Sequence, residues 1–182
     1  GEPPGNHYGT CDVSIPARHK FGELERPSLW RLEFRESAAK HVLLQQVIPL
    51  TGEQCMQQLR SDLTQTTESR VFVFVHGYNV TFEHAAMRTA QMAYDLRFDG
   101  VPLMYSWPSL GQITGYGHDL HQADLAAGPL AEFLTRMAHE SGARQIHLVA
   151  HSMGNRALVG ALTRIGQSQS TARFNQVVFA AP

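Results

Sequence analysis

The chain has 182 residues, enough for one domain with a core of its own. Hydrophobic residues make up 43% and charged residues 17%, the balance of a globular chain and not of a disordered one. Lys+Arg number 15 and Asp+Glu 16, a formal net charge of -1 with no basic run, so nucleic acid and anionic membrane find no electrostatic attractor.

The start, Gly1-Glu2-Pro3-Pro4-Gly5, has neither a basic n-region nor an apolar h-region and reads as a loop or an arbitrary boundary. No apolar run reaches the roughly 18 residues of a membrane-spanning helix. The cytoplasm is the expected location for this chain, with a signal or lipid anchor before residue 1 of a longer parent left open. Thr10–Ile15 and Trp30–Arg35 alternate apolar and polar residues as half-buried strands do, with turns at Pro16, Gly22 and Pro27 between them. Val42–Leu50 is a third such run. Residues 1–50 therefore read as an antiparallel lead-in to a sheet. Cys11 and Cys55 make no disulfide framework, and two unpaired thiols are the expectation, with pairing left open.

From residue 53 the pattern becomes βα alternation. Glu53–Thr64 has helical spacing through Met56, Leu59 and Leu63. Val71–Val75 is a continuous apolar run, as a strand buried on both faces requires. Thr81 reads as the N-cap of a helix to Leu96, and Val101–Ser106 as the next strand. A glycine-rich loop at 109–117 leads to a long helix at 118–140. A strand at 145–150, a helix at 153–165 and a strand at 176–180 complete the chain. Such alternation predicts a mostly parallel sheet with helices on both faces, and sites in these folds lie beyond the carboxyl ends of the strands. Three of those ends carry unusual residues: His76-Gly77-Tyr78-Asn79, Trp107-Pro108-Ser109 and His151-Ser152-Met153-Gly154.

The last matches the nucleophile elbow G-x-S-x-G, with Ala150 in the first small position and Gly154 in the last. The residues two before and two after the serine approach each other closely, so both must be small. The turn sets Ser152 at a helix N-terminus, where the Met153 N–H points toward the reacting centre. His151 belongs to the same turn, but the elbow points its side chain away from Ser152. The plainer reading of Ser152 is a helix cap. His76-Gly77 follows an early strand, the usual place of the second oxyanion donor, here the Tyr78 N–H, with Gly77 allowing a close turn and His76 bonding within the loop. An ordinary tight turn is the alternative. Trp107 and Tyr116 are expected either to line an acyl or alcohol pocket or, for Trp107, to pack under the loop.

Together these residues resemble an uncharacterised bacterial family within the esterase/lipase α/β-hydrolase superfamily. The matching segments are V-F-V-H-G-Y-N-V-T-F at 73–82, A-Q-M-A-Y-D-L at 90–96, Y-S-W-P-S at 105–109, Y-G-H-D at 116–119 and H-L-V-A-H-S-M-G-N-R-A-L at 147–158. G-T-C-D-V-S-I-P at 9–16 looks like the opening strand, and Phe179-Ala180-Ala181-Pro182 like the strand after the nucleophile helix. The resemblance implies an α/β-hydrolase fold and a serine hydrolase of an ester or related acyl bond, with Ser152 as nucleophile and Tyr78 and Met153 as oxyanion donors. A small-molecule ester or acyl substrate is expected, with its identity left open, and no cofactor is expected.

In this fold the triad runs serine, acid, histidine. Neither partner can be assigned in the residues after Ser152, so both are expected beyond residue 182. The chain is thus read as one C-terminally incomplete domain, expected to be nearly inactive by itself. Upstream histidines (His76, His84, His118, His121, His139, His147 and His151) are poorer bases by position. His118, His121 and Asp124 share a helical face whose spacing can hold a metal. A solvated polar face is the expected reading, and no metal is assigned. An unpaired edge on the strand at 176–180 predicts association, a homodimer among its outcomes. The rival function is a non-catalytic binding module or inactive fragment on the same fold. Acyl transfer is a third.

Overall fold

The computed structural model describes residues 5–25 and 37–181. They form two sheets. β1 (Tyr8–Ser14) and β2 (Leu43–Leu50) pair antiparallel, with a bulge between Asp12 and Val13. The parallel sheet has the order β4-β3-β5-β6, from β3 (Arg70–Val75), β4 (Val101–Tyr105), β5 (Gln145–His151) and β6 (Gln176–Ala180). The helices are α1 (Gly52–Leu63), α2 (Phe82–Asp95), α3 (Tyr116–Glu140) and α4 (Gly154–Gln167). This is the expected α/β architecture. Among the described residues the hairpin is a sheet of its own and is not hydrogen-bonded to the parallel one. The strand expected at Trp30–Arg35 lies outside the described residues. Cys11 and Cys55 are both free.

β3 is central, with β4 on one side and β5 on the other. That position explains its unbroken apolar run: every residue from Val71 to Val75 is buried. Val71, Val73 and Val75 stand beside Ile146, Leu148 and Ala150 in the register. They share one face and one core with Met56, Leu59 and Leu63 of α1, Leu130 and Leu134 of α3, and Leu158 and Ala161 of α4. Phe72 and Phe74 point the other way. Phe72 meets Phe98 edge-on at 5.0 Å, below the end of α2.

Local signals set the helix ends. Thr51 and Gln54 form a capping box at α1, and the Thr81 side chain accepts from the His84 N–H at α2. α3 begins at Tyr116, ahead of the expected 118, because a single 3-10 turn at Ile113–Gly115 feeds straight into it. It also runs through Pro129. The proline deprives the carbonyl four residues back, that of Leu125, of its partner, and Leu125 is on the solvent side where water can replace it. At the outer strand β6, Val177, Val178 and Phe179 stay exposed. This edge is the feature on which the expectation of association rests. Among the described residues no helix is long and apolar enough to cross a membrane.

Candidate active site

β5 carries Ala150, wholly buried, between Val75 of β3 and Phe179 of β6. Two residues later the chain turns sharply into α4. Ser152 makes the turn with φ +51°, a left-handed conformation that costs a non-glycine residue about 1–2 kcal/mol. Its own N–H donates to the Ala180 carbonyl at 2.9 Å, and Asn155 Nδ2 donates to the same oxygen at 3.0 Å. The end of β6 therefore braces the turn. The Asn155 and Arg156 N–H groups are taken by the Ser152 and Met153 carbonyls. No described residue accepts from the Met153 N–H.

Two glycines lock this turn to the loop after β3. A Cβ on Gly154 would stand 2.6 Å from the Val75 carbonyl oxygen and 2.4 Å from that of His76. A Cβ on Gly77 would stand 2.7 Å from the His151 oxygen and 2.8 Å from Ser152 Cβ. Each loop holds its glycine where the other loop passes. Gly77 is thus needed for its contact with the serine turn itself.

His76 is completely buried. Its Nδ1 lies 3.0 Å from the Gly77 carbonyl, and its Nε2 accepts from the Trp107 N–H at 3.1 Å, with Ser106 Oγ at 3.2 Å. Nε2 therefore carries the lone pair and Nδ1 the proton. Burial holds this imidazole below its usual pKa, against the pull of Asp119 and the neighbouring hydrogen bonds. The Trp107 ring stacks on it at 5.0 Å and 11°, and the indole N–H donates to the His76 carbonyl at 2.7 Å. Trp107 is buried under the loop, so it supports His76 and offers little surface to a ligand. Tyr116 is exposed and meets Tyr78 edge-on at 5.4 Å. The Tyr78 hydroxyl donates to the Gln112 carbonyl at 3.3 Å. His151 is exposed beside Ser152, and no described histidine or carboxylate hydrogen-bonds the Ser152 hydroxyl.

Sequence reasoning passed over Asp119, in the first turn of α3. It is completely buried and is met by Ser109, Leu110, Asn79 and His118. Burial alone would raise its pKa, but those hydrogen bonds outweigh it and hold the carboxyl below its usual range. The available signal was an acid beginning a long helix, inside the Y-G-H-D segment. On the face shared by His118, His121 and Asp124, the Asp124 carboxylate is engaged by the Arg156 guanidinium at 2.5 and 2.9 Å. Among the described residues no group of three His, Cys, Asp or Glu side chains is placed to hold a metal ion.

No curated protein and no solved structure matches the chain. A family described as "Alpha/beta hydrolase of unknown function (DUF900)" matches residues 52–182, the span that contains the parallel sheet, the loop after β3 and the serine turn. The chain belongs to this α/β-hydrolase family.

Proposed function

We propose that the chain carries the nucleophile and oxyanion hole of a serine hydrolase of carboxylic esters. The supporting observation is Ser152, held at φ +51° between β5 and α4 with Gly77 seated against it. A strained backbone is retained where surrounding contacts over-determine it, and such positions cluster at reactive sites. In this reading Ser152 Oγ attacks the ester carbonyl and gives up its proton to a histidine. The carbonyl oxygen becomes an oxyanion held by the Met153 and Tyr78 N–H groups, at the positive end of α4. The C–O bond breaks, the alcohol leaves with the proton from the histidine, and water hydrolyses the acyl-enzyme by the same route.

His76 does not serve as the base, because both its ring nitrogens are committed, Nδ1 to the Gly77 carbonyl and Nε2 to the Trp107 N–H. We place the histidine and its acid outside the described residues, after β6, in the order this fold uses. The test is labelling of the native protein by a fluorophosphonate, with turnover of p-nitrophenyl acetate. Labelling at Ser152, abolished in Ser152→Ala, is expected. A folded native protein that resists the probe and turns over no ester would sink the reading in favour of a binding module. Product analysis with added alcohol separates hydrolysis from acyl transfer.

A further inference from the structure

We propose that Asp119 is a positioning residue for the oxyanion loop, holding residues 76–79 against Ser152 by tying them to the loop between β4 and α3. The inference rests on the reading of Ser152 and Tyr78 given above. Asp119 has no exposed surface. A carboxylate in that state is tolerated only when its lone pairs are filled. One oxygen accepts from the Leu110 N–H at 2.9 Å and faces His118 Nδ1 at 3.4 Å. The other accepts from Ser109 Oγ at 2.5 Å and, in a longer contact, from the Asn79 N–H at 3.5 Å. Its donors thus come from the β4–α3 loop, from α3 and from the oxyanion loop. An ionised carboxylate is acceptor-only at both oxygens, which these donors require; an amide offers one acceptor oxygen. The start of α3 favours the negative charge.

The contact to Asn79 matters because of where the loop is otherwise held. His76 is fixed from below by Trp107 and Ser106, and Gly77 is seated on Ser152. Tyr78 follows, and Asn79 then turns into the left-handed region with φ +58°. Asp119 grips the loop just beyond Tyr78, at the residue whose conformation is strained. The Tyr78 hydroxyl bond to Gln112 and the Tyr78–Tyr116 contact tie the same two loops together. Without Asp119, the backbone just beyond Tyr78 loses its hydrogen bond to α3, and the Tyr78 N–H is less firmly placed. A misplacement of about 1 Å in a catalytic group can cost on the order of 100-fold in rate.

The test compares native protein with Asp119→Asn, and with Asp119→Ser should the first fail to fold. In p-nitrophenyl acetate hydrolysis, kcat is expected to fall about 10- to 100-fold, with KM within about threefold, because the lost interaction belongs to the transition state. Amide hydrogen exchange is expected to quicken at both 77–79 and 109–111 while β5 and α4 keep their protection. An unchanged kcat, or a rise in KM with kcat intact, overturns the proposal. So does exchange that quickens at 109–111 and leaves 77–79 as it was. If the native protein neither labels at Ser152 nor turns over ester, the catalytic reading fails, and exchange at 77–79 alone decides whether Asp119 holds the loop.

Discussion

The two ends of the sheet each bury a histidine, and they use it in opposite ways. At the carboxyl ends of the strands His76 is surrounded by backbone groups and hydroxyls, and it stays neutral. At the amino ends, where α2 finishes, the His19 side chain is almost fully buried between Glu25 and Asp95, each at 2.8 Å. Burial pulls the His19 pKa down, but the two carboxylates outweigh it and raise it above its usual value. Burial is shared; the partners decide the charge. The difference separates the candidate site from a brace. Around Ser152 the two loops are fitted by glycine contacts and by the hydrogen bonds of a neutral His76, with the Asp119 carboxylate bonded to Asn79 beyond them. At the far end, charge pins the 16–25 segment to α2, beside a surface cavity of about 550 Å³ that includes Phe21, Tyr94 and Arg97 but none of the residues around Ser152.

Steric substitution at the Ser152 end should have the largest effect. In Gly154→Ala the new methyl meets two backbone oxygens that no rotamer can move. The cost is expected at the upper end of the roughly 1–3 kcal/mol of overpacking, or beyond it. Denaturant unfolding measures it, and a loss under about 0.5 kcal/mol, the size of an ordinary surface change, would contradict the interlocked loops. His76→Phe comes next. Its ring can keep the stack on Trp107 but leaves the Trp107 N–H and the Gly77 carbonyl without their partner. That should cost about 1–3 kcal/mol. Ser152→Gly acts in the other direction: it relieves the left-handed strain and should stabilise by up to about 1 kcal/mol, offset by the greater freedom of glycine when unfolded. It would remove fluorophosphonate labelling at the same time.

Much of the Ser152 end is legible in the sequence because its constraints are local. A strand, a small residue, Ser152, Gly154 and a helix follow one another within a few positions. The βα alternation gave the sheet, and the apolar run 71–75 identified its buried centre. What the sequence hid was contact between distant segments. Asp119 meets Asn79 across 40 positions, and His19 meets Asp95 across 76. Nothing in spacing distinguishes Asp119, buried and bonded, from Asp124, exposed and paired to Arg156. The reason for Gly77 was legible as a close turn, but its neighbour, the Ser152 side chain, became visible only when the two loops were brought together.

The two histidines should also give stability opposite slopes with pH. His76 has a lowered folded pKa, so its contribution is present above the unfolded value of about 6.5 and is lost as pH falls toward the folded one. His19 has a raised folded pKa, so its contribution is complete below about 6.5 and is lost as pH rises through the raised value. Thermal unfolding between pH 5 and 9, run on each variant, separates them. His19→Gln should flatten the alkaline decline and leave the acid side sloping; His76→Phe should do the reverse. If either variant flattened both limbs, or neither, the assignment of charge to the two ends would be wrong.

The smallest effect is expected from an ion pair that resembles the His19 brace on paper. Arg156 and Asp124 join α4 to α3 with two hydrogen bonds, but both side chains are about half exposed, at 53% and 48%. Water competes for each group, salt screens what remains, and holding two long side chains in one geometry costs entropy. Arg156→Ala should therefore move the melting temperature less than any substitution above, and its small shift should vanish at high ionic strength. The buried His19 brace should keep its effect under the same salt. Equal salt sensitivity in the two variants would show that His19 is solvated in solution, and would remove the contrast between a charged brace and a surface pair.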